Sequence, residues 1–99
     1  MEGFTFDAEL WLYEGDAAWH FITVPEDISD EIAERAAGPR SGFGSVRVEV
    51  TVGATTWSTS VFPDSKRGAY VLPVKKEVRR REQIDAGDRV ALSLELIDS

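Results

Sequence analysis

Seven of the eleven basic residues of this 99-residue chain lie between Lys66 and Arg81, against one acid, Glu77. The segment carries +6 (7 − 1) in a chain of net charge −7, so the remainder carries −13. Clustered cations can hold anions. A phosphate backbone gives salt-dependent binding, and an acidic protein surface gives electrostatic complementarity. Lys75, Lys76, Arg79 and Arg80 fall on the outer face of a short helix and are the anion- or partner-binding candidates. The plainer role is favoured for most of the island: these cations keep the helix solvated in the field of the chain's own acids, and late in a helix they suit its negative end.

Trp11 and Tyr13 are the second set. They alternate with Leu10 and Leu12 and so lie on the nominally polar face of a strand. Either the first helix covers them, or they form an exposed aromatic interface, a role Trp and Tyr favour.

The other chemistry-bearing residues have ordinary explanations. His20 is the single histidine, in mid-strand between Trp19 and Phe21. A lone histidine makes no His-based metal site, and nothing nearby supplies the nucleophile and orienting group that a general base needs. Glu26, Asp27, Asp30, Glu31 and Glu34 lack the glycine-containing loop spacing of a calcium site. They read as a solvated helix face whose first acids complement the dipole. Ser58, Thr59 and Ser60 lie outside any nucleophile elbow and read as outward strand positions. Ser41-Gly42-Phe43-Gly44-Ser45 lacks the Lys-Ser/Thr of a phosphate loop and reads as a connector. No catalytic residue, metal ligand or cofactor site is expected.

Ninety-nine residues make one domain, 1–99, with one modest core. The absence of cysteine removes disulfides and thiolate metal sites. Met1-Glu2-Gly3-Phe4 shows neither a basic nor an apolar signal region, and no apolar run reaches membrane-spanning length, so a cytoplasmic protein without membrane contact is expected.

The elements that must position these residues follow from periodicity. Phe4, Phe6, Ala8, Leu10 and Leu12 alternate with polar or aromatic partners, a half-buried strand. Glu14–Ala17 turns it into a second strand, Ala18–Val24, apolar on both faces and so expected to be covered on both. Pro25 ends that strand and opens an acidic helix, which Gly38-Pro39 stops. Val46, Val48, Val50 and Val52 mark a third strand. Gly53-Ala54 turns it into Thr55–Phe62. Ala69–Val74 is a short strand, Lys75–Gln83 a short helix, Asp85–Asp88 a turn, and Val90, Leu92, Leu94 and Leu96 mark the last strand. Six strands, nearly all with one apolar face, must close or stack. The fold is mainly β: a small closed six-stranded barrel with two short helices, which leaves no edge exposed.

The ordered set Phe6-x-Ala8-x-Leu10, Trp19-x-Phe21-x-x-Val24-Pro25, Val48-x-Val50-x-Val52-Gly53, Gly68-x-Tyr70-x-Leu72-Pro73-Val74-Lys75-Lys76-x-Val78-Arg79 and Ile84-x-x-Gly87-Asp88-x-Val90 resembles the domain of unknown function 1905 family. That domain often precedes a YdeI/OmpD-associated region, which has no counterpart in these 99 residues. The resemblance implies a small six-stranded barrel and no established activity. A sub-segment, Leu72–Arg79 with Ile84-x-x-Gly87-Asp88-Arg89-Val90, is similar to the strand–helix–Gly-Asp–strand unit of AbrB-like swapped-hairpin transcription factors, which are DNA-binding dimers. In that unit Gly87 supplies a positive φ, and Asp88 accepts backbone hydrogen bonds.

The expected function is therefore a non-enzymatic binding or interaction module. Its contact surfaces are Trp11, Tyr13 and the basic helix, and its partner is a protein or small molecule. The alternative is an AbrB-like nucleic-acid-binding regulator using the basic helix 75–81; nucleic acid is the less favoured partner. A homodimer fits either reading.

Overall fold

In the computed structural model, which describes residues 3–15, 18–36 and 44–97, six strands form a closed antiparallel barrel. The elements are β1 (Gly3–Leu12), β2 (His20–Thr23), α1 (Glu26–Ala36), β3 (Val46–Val52), β4 (Thr55–Asp64), β5 (Ala69–Pro73), α2 (Lys76–Glu82) and β6 (Arg89–Leu96). Around the barrel the order is β1-β2-β5-β4-β3-β6. The helix stop at Gly38-Pro39 and most of the glycine-rich connector lie outside the described residues.

The alternating apolar positions fill the barrel. Leu10, Ile22, Val48, Val50, Val61, Leu72 and Leu94 are fully buried. Ile32 of α1 and Val78 of α2 join the same core, so each short helix is held by packing rather than by propensity. Val48 pairs with Thr59 across the β3–β4 ladder. Paired residues share a face, so Thr59 points inward beside a buried valine, contrary to the outward position expected of it. Leu12 is 46 % exposed although it is in register with Leu10. It belongs to the last pair of the β1–β2 ladder, opposite His20; Asp16 and Ala17 of the expected turn lie outside the described residues.

Closure depends on two strands that change partner midway. β1 pairs with β6 over residues 3–9 and with β2 over 10–12. β4 pairs with β3 over 55–61 and with β5 over 62–64. This parallel reveals an internal pseudo-twofold axis: β1-β2-α1-β3 repeats as β4-β5-α2-β6, and exchanging the two halves reproduces the same strand order. From β2 through the helices the offset is 50 residues (72 − 22), and the axis crosses the Ile22–Leu72 pair. Hydrogen bonds obey it. The Val24 amide donates to the Tyr70 carbonyl, and the Val74 amide to the His20 carbonyl, both at 2.9 Å. Ser29 Oγ donates to the Val24 carbonyl (3.1 Å), and Arg79 Nε to the Val74 carbonyl (3.3 Å).

Gly87 and Gly53 are two of the described glycines that the backbone requires. Gly87 has φ +98 in the turn between α2 and β6, a conformation that L side chains rarely adopt. There the Asp88 carboxylate accepts the Asp85 amide at 2.8 Å, as its place before β6 suggested. Gly53 has φ +58 in the β3–β4 turn. An added Cβ would collide with the Glu82 carboxylate. That carboxylate accepts from the Thr55 hydroxyl (2.6 Å) and the Ala54 amide (3.3 Å), which ties the end of α2 to the hairpin.

Candidate functional site

Trp11 and Tyr13 do come together, and two residues that the sequence placed under cover join them. Phe21, directly opposite Trp11 in the β1–β2 ladder, is the hub of four rings on the outer face of the barrel. Trp11 lies 5.2 Å from it (centroid to centroid), Tyr13 meets it edge-on at 6.2 Å, and Trp19 stacks on it at 6.0 Å with 12° between the planes. Each such pair contributes about 0.5–1.5 kcal/mol beyond burial. Among the described residues, no helix or second sheet covers the outer side of β2. Its inner face, Ile22, is buried in the core, and its outer face packs against neighbouring aromatics. Tyr13 stays 51 % exposed and Trp19 53 %.

Trp11 is the fixed member. Its indole Nε1 donates to Thr23 Oγ1 at 2.8 Å, and the Arg67 guanidinium lies 3.9 Å from its ring centroid, a cation–π contact. Arg67 is aimed by Asp64, whose carboxylate accepts from its Nη1 at 3.0 Å. Asp64 also accepts the amides of Lys66 and Arg67 in the β4–β5 turn. Desolvation pushes the Asp64 carboxyl up, but the hydrogen bonds from Arg67 and the two amides, with the Arg67 charge, outweigh it and hold the group below its ordinary value. The cover over Trp11 is thus a loop arginine. The groove beside it, of about 740 Å³, is lined by Leu12, Tyr13, Lys66, Arg67 and Val71 among others, with no α1 residue.

The structure disperses the basic island. Arg67 goes to the aromatic cluster. Arg79, half-buried, turns back to the Val74 carbonyl and so leaves the outer face on which the sequence placed it. Arg81 pairs with Glu77 at 3.7 Å, with both side chains about two-thirds exposed. Lys75, Lys76 and Arg80 remain exposed on α2. Lys75, the N-cap of α2, directly follows Val74, which is bonded to His20. The helix therefore starts at the edge of β2 that carries Trp19.

A shallow recess of about 410 Å³ between α1 and the β4–β5 turn is lined by Ser29, Asp30, Asp64 and Tyr70 among others. Ser29 is committed to the Val24 carbonyl and the Tyr70 amide, and Asp64 to the turn. Desolvation pushes the Tyr70 phenol up, which keeps it protonated at neutral pH. His20 donates through Nδ1 to the Ala18 carbonyl at 3.1 Å. Among the described residues, no group of three or more His, Cys, Asp or Glu side chains could hold a metal. Among them too, no helix is long and apolar enough to cross a membrane.

The sequence model of the family described as Domain of unknown function (DUF1905) matches residues 6–94. The chain belongs to that family. The DUF1905 match runs from Phe6 in β1 to Leu94 in β6, so it takes in both halves of the barrel, the aromatic cluster and the basic helix. No curated protein matches the chain. Phe21 and Trp19 were legible as aromatic but not as accessible. A strand with apolar residues on both faces and no second sheet available to cover it was the signal.

Proposed function

We propose that this DUF1905 domain is a non-enzymatic binding module whose contact surface is the aromatic outer face of the β1–β2 hairpin, with a partner protein as its occupant. One observation carries the proposal: four aromatic side chains are gathered outside a core that is already complete, with Trp19 and Tyr13 half open to solvent. Contiguous exposed apolar surface on a small domain marks an interface. Burying the open half of Trp19, about 100 Å², is worth roughly 2.5 kcal/mol. Arg67, already oriented over Trp11, adds a cation at the rim, where charge favours an acidic neighbour on the partner.

Nucleic-acid binding through α2 is the weaker reading. Of the five cations from Lys75 to Arg81, Arg79 turns back to the Val74 carbonyl and Arg81 pairs with Glu77, which leaves Lys75, Lys76 and Arg80.

The test compares native purifications of the wild-type chain, Tyr13→Ser/Trp19→Ser and Lys76→Ala/Arg80→Ala, each checked for folding by thermal melting. The aromatic variant is expected to lose its co-purifying protein by roughly tenfold or more, while the basic variant keeps it. Loss in the basic variant alone, with salt-sensitive nucleic acid retained on the wild type, would establish the other reading.

A further inference from the structure

The pseudo-twofold axis relates two helices of opposite charge. At the offset of 50 residues, Glu26 corresponds to Lys76, Asp30 to Arg80 and Glu31 to Arg81. At these three positions the backbones are equivalent and the charges are inverted, while Asp27 and Glu77 are acidic on both helices. α1 carries five acids and one arginine, −4 (1 − 5). α2 with its N-cap Lys75 carries five bases and two acids, +3 (5 − 2), and one of those acids, Glu82, is occupied by the β3–β4 turn. Among the described residues, Glu31–Arg35 and Glu77–Arg81 are ion pairs formed within one helix. Glu26, Asp27, Asp30 and Glu34 stay exposed on α1, as do Lys75, Lys76 and Arg80 on α2.

From this inversion we infer that the chain associates with a second copy of itself through α1 of each copy against α2 of the other. Symmetry makes the occupant specific. A twofold axis perpendicular to the internal dyad, and to the line joining the two helices, lays the acidic helix of each copy over the basic helix of its mate. Both contacts form in one step, and the assembly is closed. Turning that axis by a right angle would pair acid with acid and base with base, so charge selects one arrangement. The inference goes beyond the aromatic face and does not require it.

Sedimentation of the full chain from ~10 µM to ~1 mM, in about 20 mM and about 500 mM NaCl, reads this directly. A dimer is expected at low salt that dissociates at high salt. Glu26→Lys/Asp30→Lys/Glu34→Lys takes α1 from −4 to +2 (−4 + 6) and so makes both helices basic, and Lys76→Glu/Arg80→Glu takes α2 with Lys75 from +3 to −1 (3 − 4) and so makes both acidic. Each variant alone is expected to be monomeric, with dimerisation weakened roughly tenfold or more. Mixed together they should restore a 1:1 dimer. Lys76→Gln/Arg80→Gln, which removes charge without reversing it, should weaken the wild-type dimer by a smaller factor. A monomer at every concentration in low salt overturns the inference. So does a dimer indifferent to both reversals, a failure of the mixed variants to pair, or growth beyond dimers.

Discussion

Replacing Gly53 by alanine tests whether one carboxylate joins α2 to the β3–β4 turn. Two costs are expected. The residue sits at φ +58, and left-handed backbone costs an L side chain about 1–2 kcal/mol. The new methyl also displaces the Glu82 carboxylate and breaks its 2.6 Å bond to Thr55, whose hydroxyl belongs to a residue only 8 % exposed. Losing that bond costs about 1–2 kcal/mol. Gly53→Ala should therefore cost about 2–4 kcal/mol. Glu82→Ala alone loses the same bond but removes an acid from the negative end of a helix, which returns about 0.3–1 kcal/mol and leaves a net loss near 1 kcal/mol. In the double variant the bond is already gone, so Glu82→Ala should add less than about 0.5 kcal/mol to the cost of Gly53→Ala. Urea unfolding of the four proteins at one pH, with a common m-value, reads these differences. Strict additivity of the two single costs would refute the account, because it would mean that the methyl and the carboxylate never compete for the same space.

Ser29 is 3 % exposed and bridges the Val24 carbonyl and the Tyr70 amide, so Ser29→Ala should lower unfolding stability by about 1–3 kcal/mol. Its dyad mate Arg79 makes one longer bond from a partly exposed position, and Arg79→Ala should cost less; the reverse order in urea midpoints would contradict this assignment. Asp64 has a folded pKa below its ordinary 3.8, so its contribution is fully present above 3.8 and is lost as pH falls through the lower folded value. Asp64→Asn should flatten the acid limb of stability at and below that range, and an unchanged limb would count against the Arg67–Asp64 pairing.

Much of the fold was legible because each strand shows its apolar face in the sequence. The valines of β3 and the leucines of β6 alternate without exception, and Gly53 and Gly87 mark turns that the backbone needs. The barrel followed from counting faces that had to be covered. The internal dyad was not legible, because equivalent positions preserve geometry while changing chemistry. Ser29 and Arg79 satisfy equivalent carbonyls with unlike side chains, and Glu26 and Lys76 are opposite in charge. The contact site was half legible. Trp11 and Tyr13 announced themselves by breaking the polar alternation of β1. Trp19 and Phe21 did not, because apolar residues on both faces of β2 ordinarily mean cover on both faces. Arg67 was hidden inside the charge island, since nothing in its spacing says that a turn will swing it onto an indole 56 residues earlier (67 − 11).

The partner change within β1 has a consequence for how the chain comes to exist at all. Gly3 pairs with Glu95 and Phe4 with Leu94, so within the barrel the first strand to be synthesised waits for the last. β3 waits too, since β6 forms its second ladder. Neither repeat can mature ahead of the other, because every half-barrel would leave open edges and an uncovered valine face in water. Folding must be all-or-none over nearly the whole chain, and slow for its size because its decisive pairings are distant in sequence. β6 thus acts as the keystone: a nascent chain lacking it holds most of the native sequence and no stable barrel.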